Sequence, residues 1–184
     1  MAVAGVGALF LDRDGVINVD HGYVHRPDEV EFVPGIFELV RSANESNVLV
    51  VVVTNQAGIA RGLYSPAAFE DLMRWMLARF RGVGARLDAV YHCPHHPEEG
   101  IGELRVVCNC RKPKPGMFIQ AIQELGIDPR RSMVIGDKAS DLKAAASAGV
   151  PRLVLLRHDG SRGFPVNTPL ENVEMIGSLK ELSL

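Results

Sequence analysis

The chain has 184 residues, of which 47% are hydrophobic and 23% are charged, and its formal net charge at pH 7 is −2. These values are typical of a soluble globular protein with a single domain over 1–184, and they exclude a broad basic surface that would attract nucleic acid. No apolar run reaches the roughly 20 residues that a membrane-spanning helix needs, and the first residues lack the basic start of a secretory signal, so we expect a cytoplasmic protein that binds neither membrane nor nucleic acid.

Two aspartates directly follow the first predicted strand. The apolar residues Ala8–Leu11 predict a buried strand, and Asp12 and Asp14 come next. Gly15 permits an immediate turn, so both carboxylates can lie at the carboxyl end of the strand. Two carboxylates this close repel each other unless a cation lies between them or one of them keeps a proton. The pattern predicts a site for an oxygen-seeking ion such as Mg²⁺, with an ordinary Asp/Gly turn as the alternative.

A polar loop and a helix come next. The loop at 19–33 contains Gly22 and Pro27 as chain breakers. Loops at the carboxyl end of a strand often hold binding groups, and a solvated excursion is the alternative. Apolar residues at helical spacing from Ile36 to Ala43 then predict a helix that ends in the polar residues 44–47.

The second strand is followed by three polar residues. The run Val48–Val53 has no polar alternation, which is typical of a central parallel strand covered by helices on both faces. Thr54, Asn55 and Gln56 follow at the position where an open α/β sheet contacts its ligand. A capping turn is the alternative. Later patterns predict helices at 66–80, 116–125 and 142–148, and strands at 87–93, 132–136 and 152–156.

The cysteines lie in two short motifs, one of the form C-x-H and the other of the form C-x-C. Their odd number disfavours a disulfide framework. Three thiolates and one imidazole form a complete tetrahedral set for Zn²⁺, and a set with no open position indicates a structural metal, with chance clustering as the alternative. The candidate ligands are Cys93, His95, Cys108 and Cys110, with His92 or His96 as possible substitutes for His95.

Two basic residues follow the second cysteine motif. Pro113 and Pro115 exclude a helix here and predict an extended backbone. The predicted zinc site would hold Arg111 and Lys112 in place, as a phosphate-recognition site requires. A basic surface loop is the alternative.

A third acid follows the strand at 132–136. Because strands alternate with helices, we expect a parallel sheet whose carboxyl ends share one edge. Asp137 should therefore join Asp12 and Asp14 in a three-acid site for Mg²⁺. Asp141 is expected either to cap the next helix or to brace Asp137.

Four of these segments, taken in order, resemble the motifs of the haloacid dehalogenase (HAD) superfamily of phosphohydrolases. They are DRDG at 12–15, TNQ at 54–56, the lysine of RKPKP at 111–115 and GDKASD at 136–141. The longer stretches LDRDGVINVDHGYVH, TNQAGIARG, CPHHPEEG and CNCRKPKPGM resemble the D-glycero-D-manno-heptose 1,7-bisphosphate 7-phosphatase family from about Leu9 to Leu156. Val16 departs from the usual threonine. The resemblance implies a Rossmann-like α/β/α sandwich with a mostly parallel sheet, a zinc-stabilised loop and no large cap domain.

The resemblance also implies roles for individual residues. Asp12 would attack phosphorus to form an aspartyl-phosphate, and Asp14 would act first as acid and then as base. Mg²⁺ would be held by Asp12, Asp137 and the backbone carbonyl of Asp14, while Thr54 and Lys112 would stabilise the transferring group. Substrate contacts are implied for Asp20, His21, Gly22, Tyr23, Thr54, Asn55, Gln56, Ala57, Arg111, Lys112 and Lys138.

The expected activity is removal of the 7-phosphate from heptose 1,7-bisphosphate by a monomeric enzyme, in the ADP- or GDP-heptose precursor pathway for lipopolysaccharide core or other cell-surface heptosides. A histidinol-phosphate phosphatase is the alternative within enzymes, because that group shares the zinc motifs and RKP. The DHGYVH loop and the lack of room for a second catalytic domain favour the heptose phosphatases. Two further alternatives to a phosphatase are a phosphomutase and a zinc-ordered binding module without catalysis.

Overall fold

Six strands form one parallel sheet within the residues that the computed structural model describes, which are 5–158, 170 and 172–182. Neighbouring strands are parallel throughout, and their order is β3-β2-β1-β4-β5-β6. The parallel sheet expected from the sequence is confirmed. The strands are β1 (Ala8–Leu11), β2 (Leu49–Asn55), β3 (Ala89–Cys93), β4 (Met133–Gly136), β5 (Arg152–Leu156) and β6 (Val173–Ile176).

Helices cover both faces of the sheet and complete a three-layer sandwich. Ser65 caps the longest helix by accepting a hydrogen bond from the Ala68 N–H. The described α-helices are α1 (Ile36–Glu45), α2 (Ala57–Ala60), α3 (Pro66–Gly82), α4 (Gly116–Leu125) and α5 (Ala139–Ser147). Apolar residues of α1 and α3 pack in one core cluster, and those of α4 and α5 pack in the other.

The central strand β1 contributes to both clusters. Leu9 and Leu11 pack with α1 and α3, whereas Ala8 and Phe10 pack on the opposite face. All four side chains are buried. Alternate residues of a strand point to opposite faces, so a strand buried on both sides has no polar alternation. This explains the continuous apolar run in the sequence.

The order of the strands places a crevice beside β1. From β1 the chain builds β2 and β3 on one side of the sheet, and then returns to build β4 on the other side. The connections that leave β1 and β4 therefore diverge, and such a point is where open α/β sheets bind ligands. Asp12 follows β1 and Asp137 follows β4.

Some elements differ from those predicted. The short helix α2 and the strand β6 were not predicted, and α5 begins at Ala139 instead of 142 because Lys138 is its N-cap. The extended backbone predicted for 111–115 is wrong. Lys114 N–H donates to the Arg111 carbonyl at 2.9 Å, and the chain turns there. Prolines exclude a helix but are compatible with a turn.

No helix among the described residues combines the length and apolarity needed to cross a membrane.

Candidate active site

Gly15 allows the connections after β1 and β4 to approach each other. Its φ is +89°, a left-handed conformation that favours glycine, and an added Cβ would lie 2.3 Å from Oδ2 of Asp137. The backbone N–H of Asp12 also donates to the Ile135 carbonyl at 3.1 Å, which ties the first acid to β4. The predicted turn at Gly15 thus brings Asp12 and Asp137 to one place.

Lys112 lies between two buried carboxylates. Its Nζ is 3.0 Å from Asp12 Oδ1 and 2.8 Å from Asp141 Oδ1, and it donates to the Val53 carbonyl at 2.7 Å. These three contacts use all three ammonium donors. Burial lowers the pKa of Lys112, but the two carboxylates outweigh that effect and the net shift is upward. The lysine therefore supplies a permanent positive charge beside Asp12.

Asp137 has the properties of a cation ligand. Burial, followed by the negative charge of Asp12, raises the pKa of Asp137 to about 7. Its Oδ1 is buried and has no hydrogen-bond partner among the residues that the structure describes. Ligand oxygens of Asp12, Asp137 and Asp141 all lie within 4.8 Å of one another. Carboxylates this close suit Mg²⁺, because a divalent cation would relieve their mutual repulsion and would bind Asp137 Oδ1.

Asp141 has a different role from Asp137, because both of its carboxylate oxygens already have a partner. Oδ1 contacts Lys112, and Oδ2 accepts the backbone N–H of Lys138 at 3.0 Å. The predicted capping of the next helix is therefore present. The pairing with Lys112 was not predicted, because the two residues are brought together only when α5 packs beside the loop at 111–115.

Asp14 is held by three side chains. Arg13 Nη2 lies 2.9 Å from Asp14 Oδ1 and 2.8 Å from Oδ2, Asn18 Nδ2 donates to Oδ1 at 3.1 Å, and Gln56 Nε2 donates to Oδ2 at 3.1 Å. Arg13 is 0% exposed and also donates to the Val24 carbonyl at 2.6 Å. Arg13 and Asn18 were not predicted as site residues, although Arg13 lies between the two motif aspartates.

A cavity of about 350 Å³ opens over these acids. Thr54 Oγ1 accepts a hydrogen bond from Gln56 Nε2 at 2.9 Å, which leaves the hydroxyl proton available to a ligand. Among the residues predicted to contact substrate or ion, the cavity is lined by Asp12, Asp14, Asp20, Gly22, Tyr23, Thr54, Asn55, Gln56, Ala57, Lys112 and Lys138. Gly58, Tyr64, Ser140 and Asp141 also line it and were not predicted as contacts.

Two predicted substrate contacts are not part of this lining. His21 Nε2 lies 3.0 Å from Glu31 Oε2 on the surface, and Arg111 Nη1 donates to the His95 carbonyl at 3.2 Å. Arg111 instead lines a neighbouring pocket with Lys114. Neither side chain is brought to the acids in this structure.

Hydrogen bonds and an ion pair connect the loops around the cavity. Asn55 Oδ1 accepts the Lys112 N–H at 3.0 Å, and Asn55 Nδ2 donates to the Lys112 carbonyl at 3.1 Å. Lys138 Nζ lies 3.1 Å from Asp20 Oδ2, which links the loop at 19–33 to the start of α5. Burial raises the pKa of Asp20, but the Lys138 ammonium outweighs it and the net shift is downward.

The four predicted zinc ligands form one cluster. Cys110 Sγ lies 3.1 Å from Cys93 Sγ and 3.2 Å from Cys108 Sγ, and His95 Nδ1 lies 3.3 Å from Cys110 Sγ. The four ligand atoms all lie within 4.8 Å of one another, and this donor set suits tetrahedral Zn²⁺. The possible substitutes lie elsewhere, because His92 packs on Phe69 and His96 Nδ1 accepts the Glu98 and Glu99 N–H groups.

Known proteins resemble this chain over most of its length. Residues 109–163 match the HAD-hydrolase-like family. The chain is 51% identical over 150 residues to the D-glycero-β-D-manno-heptose-1,7-bisphosphate 7-phosphatase of Vibrio cholerae, and the match covers 82% of this chain and 81% of that protein. The phosphatase of the same name from Salmonella typhi is 48% identical over 179 residues, with 96% and 93% covered. The chain belongs to the heptose-1,7-bisphosphate 7-phosphatase family.

Solved structures place this member of the heptose bisphosphate phosphatase family among HAD-like folds. The D,D-heptose 1,7-bisphosphate phosphatase of B. bronchiseptica, solved with magnesium and phosphate, superimposes with a TM-score of 0.78 at 31% identity and covers 94% of this chain and 93% of that one. A HAD-like phosphatase from Mesorhizobium loti has a TM-score of 0.80 at 38% identity, with 89% and 78% covered.

The heptose bisphosphate phosphatase family consists of HAD-superfamily hydrolases that act on a phosphomonoester. The superfamily membership, the fold and the hydrolase class expected from the four motifs are therefore confirmed.

Proposed function

We propose that the protein removes the 7-phosphate from D-glycero-β-D-manno-heptose 1,7-bisphosphate, in a Mg²⁺-dependent reaction that passes through an aspartyl-phosphate. The observation that carries this proposal is the meeting of Asp12, Asp14, Thr54 and Lys112 in one cavity beside Asp137. The substrate and the β anomer follow the names of the relatives. The product, heptose 1-phosphate, would enter synthesis of an ADP- or GDP-linked heptose.

Asp12 is the proposed nucleophile. Its two hydrogen-bond contacts with described residues fall on Oδ1, from the Arg13 N–H at 2.7 Å and from Lys112 Nζ at 3.0 Å. This leaves Oδ2 to attack phosphorus. Burial raises the pKa of Asp12, and Lys112 opposes this shift. The net pKa shift of Asp12 is upward, so burial outweighs the lysine, but the positive charge of Lys112 still favours the charged carboxylate that must attack phosphorus.

Asp14 is the proposed acid and base. As the new bond forms between Asp12 and phosphorus, the bond from phosphorus to the sugar oxygen breaks, and that oxygen takes a proton from Asp14. Asp14 then takes a proton from the water that hydrolyses the aspartyl-phosphate. Arg13, Asn18 and Gln56 fix its carboxylate during both steps.

Asp12, Asp137 and the backbone carbonyl of Asp14 are the proposed Mg²⁺ ligands. The buried Oδ1 of Asp137 supports this assignment, because no described residue forms a hydrogen bond with it. When bound, Mg²⁺ neutralises charge on the phosphoryl oxygens. The Thr54 hydroxyl would donate a hydrogen bond to the phosphoryl group, and the Lys112 ammonium would place positive charge near it.

A structural Zn²⁺ is proposed at Cys93, His95, Cys108 and Cys110. Burial raises the pKa of the Cys93 thiol, so the apo cluster contains at least one thiol that must release its proton on binding metal. The cluster immediately precedes Arg111 and Lys112, and a metal there would order the loop that carries the catalytic lysine.

A phosphate-release assay tests the proposed function. The substrates are both anomers of heptose 1,7-bisphosphate and histidinol phosphate, each with Mg²⁺ present and absent. We expect the highest kcat/KM on the β anomer and no turnover without Mg²⁺. A preference for histidinol phosphate would identify the other enzyme group. A mutase would isomerise the sugar phosphate without accumulating free phosphate, and a binding module would do neither.

We also propose that the protein acts in the cytoplasm as a monomer, with a small phosphorylated sugar as its partner. The net charge of −2 and the small polar cavity support a compact anionic ligand more than a polyanion. Light scattering after gel filtration would test the monomer, and cell fractionation would test the location.

A further inference from the structure

Tyr64 is connected to the proposed acid through Gln56. Both side chains are nearly buried, at 8% and 1% exposed. Tyr64 Oη donates to Gln56 Oε1 at 2.5 Å. On the other side of the carboxamide, Gln56 Nε2 donates to Asp14 Oδ2 at 3.1 Å and to Thr54 Oγ1 at 2.9 Å. A single amide thus joins a buried phenol to a carboxylate in the cavity.

The phenol selects one orientation of that amide. Oxygen and nitrogen of a carboxamide exchange places when the group flips, so the partners determine which atom faces which neighbour. Burial raises the pKa of Tyr64 to about 12, and its hydroxyl therefore keeps its proton and donates. With Oε1 on Tyr64, Nε2 faces Asp14. A flipped amide would place its oxygen against the carboxylate.

Gly58 and His25 pack against the Tyr64 ring. A Cβ at Gly58 would lie 2.1 Å from Cε1 of Tyr64, so the ring occupies the space that a side chain at this position would need. The His25 imidazole stacks on the same ring, with centroids 5.0 Å apart and an interplanar angle of 4°. The ring is therefore packed on two sides and its hydroxyl has a defined position.

We propose that Tyr64 is a positioning residue for the protonation of the leaving group, and that it acts through Gln56 on Asp14. This inference rests on the proposed function. In the step concerned, the sugar oxygen leaves phosphorus with the bonding electron pair and takes the proton of Asp14, while Tyr64 and Gln56 keep all their protons. The positioning of Asp14 by Tyr64 and Gln56 matters most for aliphatic phosphates, whose alkoxides are strong bases and need that proton.

The test compares two leaving groups in Tyr64→Phe. The sugar bisphosphate releases an alkoxide, whereas 4-nitrophenyl phosphate releases a stable phenolate that needs no proton. The parameter is kcat/KM, because it includes steps only up to departure of the leaving group. Loss of the hydrogen bond from Tyr64 to Gln56 predicts that kcat/KM falls about tenfold with the sugar phosphate and changes by less than about twofold with the aryl phosphate.

Tyr91→Phe is the matched control. It also removes one tyrosine hydroxyl, but this one donates to Glu124 on the surface at 2.8 Å. We expect its kcat/KM to match that of the wild type on both substrates. Equal losses on both substrates in Tyr64→Phe would show a general structural role and overturn the inference, as would no loss on either.

A double-mutant cycle tests the route through Gln56. Gln56→Met removes the contacts to Asp14 and to Thr54, so it should lower kcat/KM with both substrates and more strongly with the sugar phosphate. Adding Tyr64→Phe to it should lower kcat/KM by less than about twofold more, because the hydroxyl then has no amide to orient. If the losses of kcat/KM in the two single variants added up in the double variant, the proposed action of Tyr64 through Gln56 would be overturned. If the wild-type protein released phosphate from neither substrate, the proposed function itself would fail, which is a different result from an unselective variant.

Discussion

Replacing Lys112 with methionine tests how much the buried ammonium stabilises the acids around it. Methionine keeps the unbranched stem and removes only the charge and its donors. The Lys112 side chain is 1% exposed and that of Asp141 is 2% exposed, with nitrogen and oxygen 2.8 Å apart. Removing one partner of a buried ion pair costs about 3–5 kcal/mol, because an uncompensated charge remains in the interior.

In Lys112→Met, both Asp12 and Asp141 lose the ammonium as their ion-pair partner. The hydrogen bond to the Val53 carbonyl is lost as well, at a cost of about 1 kcal/mol. We therefore expect the free energy of unfolding in Mg²⁺-free buffer to fall by about 4–5 kcal/mol, at the upper end of that range. Saturating Mg²⁺ should reduce the loss, because it brings positive charge to Asp12.

Urea unfolding followed by the fluorescence of Trp75 measures this difference. Trp75 lies on α3, where its partly buried indole packs against the core cluster and stacks on Phe32 at a centroid distance of 5.9 Å. Its fluorescence therefore reports on loss of packing. Lys138→Met is the control. Its side chain is 55% exposed, so its ion pairs should contribute less than about 1 kcal/mol. Equal losses in the two variants would refute the role assigned to the buried ammonium.

Three further predictions follow from the site. Asp12→Asn should abolish phosphate release while metal analysis still finds one zinc per chain, and residual turnover above about one per cent would contradict the nucleophile. Gly15→Ala should raise the Mg²⁺ concentration for half-maximal activity by at least about tenfold, because its Cβ would displace Asp137; Gly82→Ala, where the added carbon meets no neighbour, should leave it unchanged. Cys108→Ser should lose zinc and speed proteolysis of the loop at 94–110, whereas unchanged zinc content would remove this residue from the ligand set.

Much of the fold was predictable because its signals are local. The apolar run in β2 and the helical spacing in α1 and α3 each indicate an element without reference to the rest of the chain. The strand β6 was missed, since it is short and partly exposed and has a single strand neighbour, β5. The helix α2 has only four residues, too few for a periodic pattern to be recognised.

The candidate site was predictable where residues lie at the carboxyl ends of strands. Asp12, Thr54 and Asp137 were expected together because parallel strands share one carboxyl edge, and they are together. Asn55, a predicted substrate contact, lines the cavity, and both polar atoms of its side chain are also bonded to the backbone of Lys112, which its spacing did not indicate. Spacing indicates which residues reach the edge, but it does not indicate which partner each one finds.

The sequence by itself determined the first five strands and the four longer helices in their order along the chain, the crowded acids after β1 and the four members of the cysteine and histidine cluster. Only the tertiary structure decided that Arg13 is buried against Asp14, that Asp141 pairs with Lys112, and that Tyr64 reaches Asp14 through an amide. The physical reason is that these contacts depend on how separate segments pack. A buried polar group must find a partner, and the fold determines which one lies within reach.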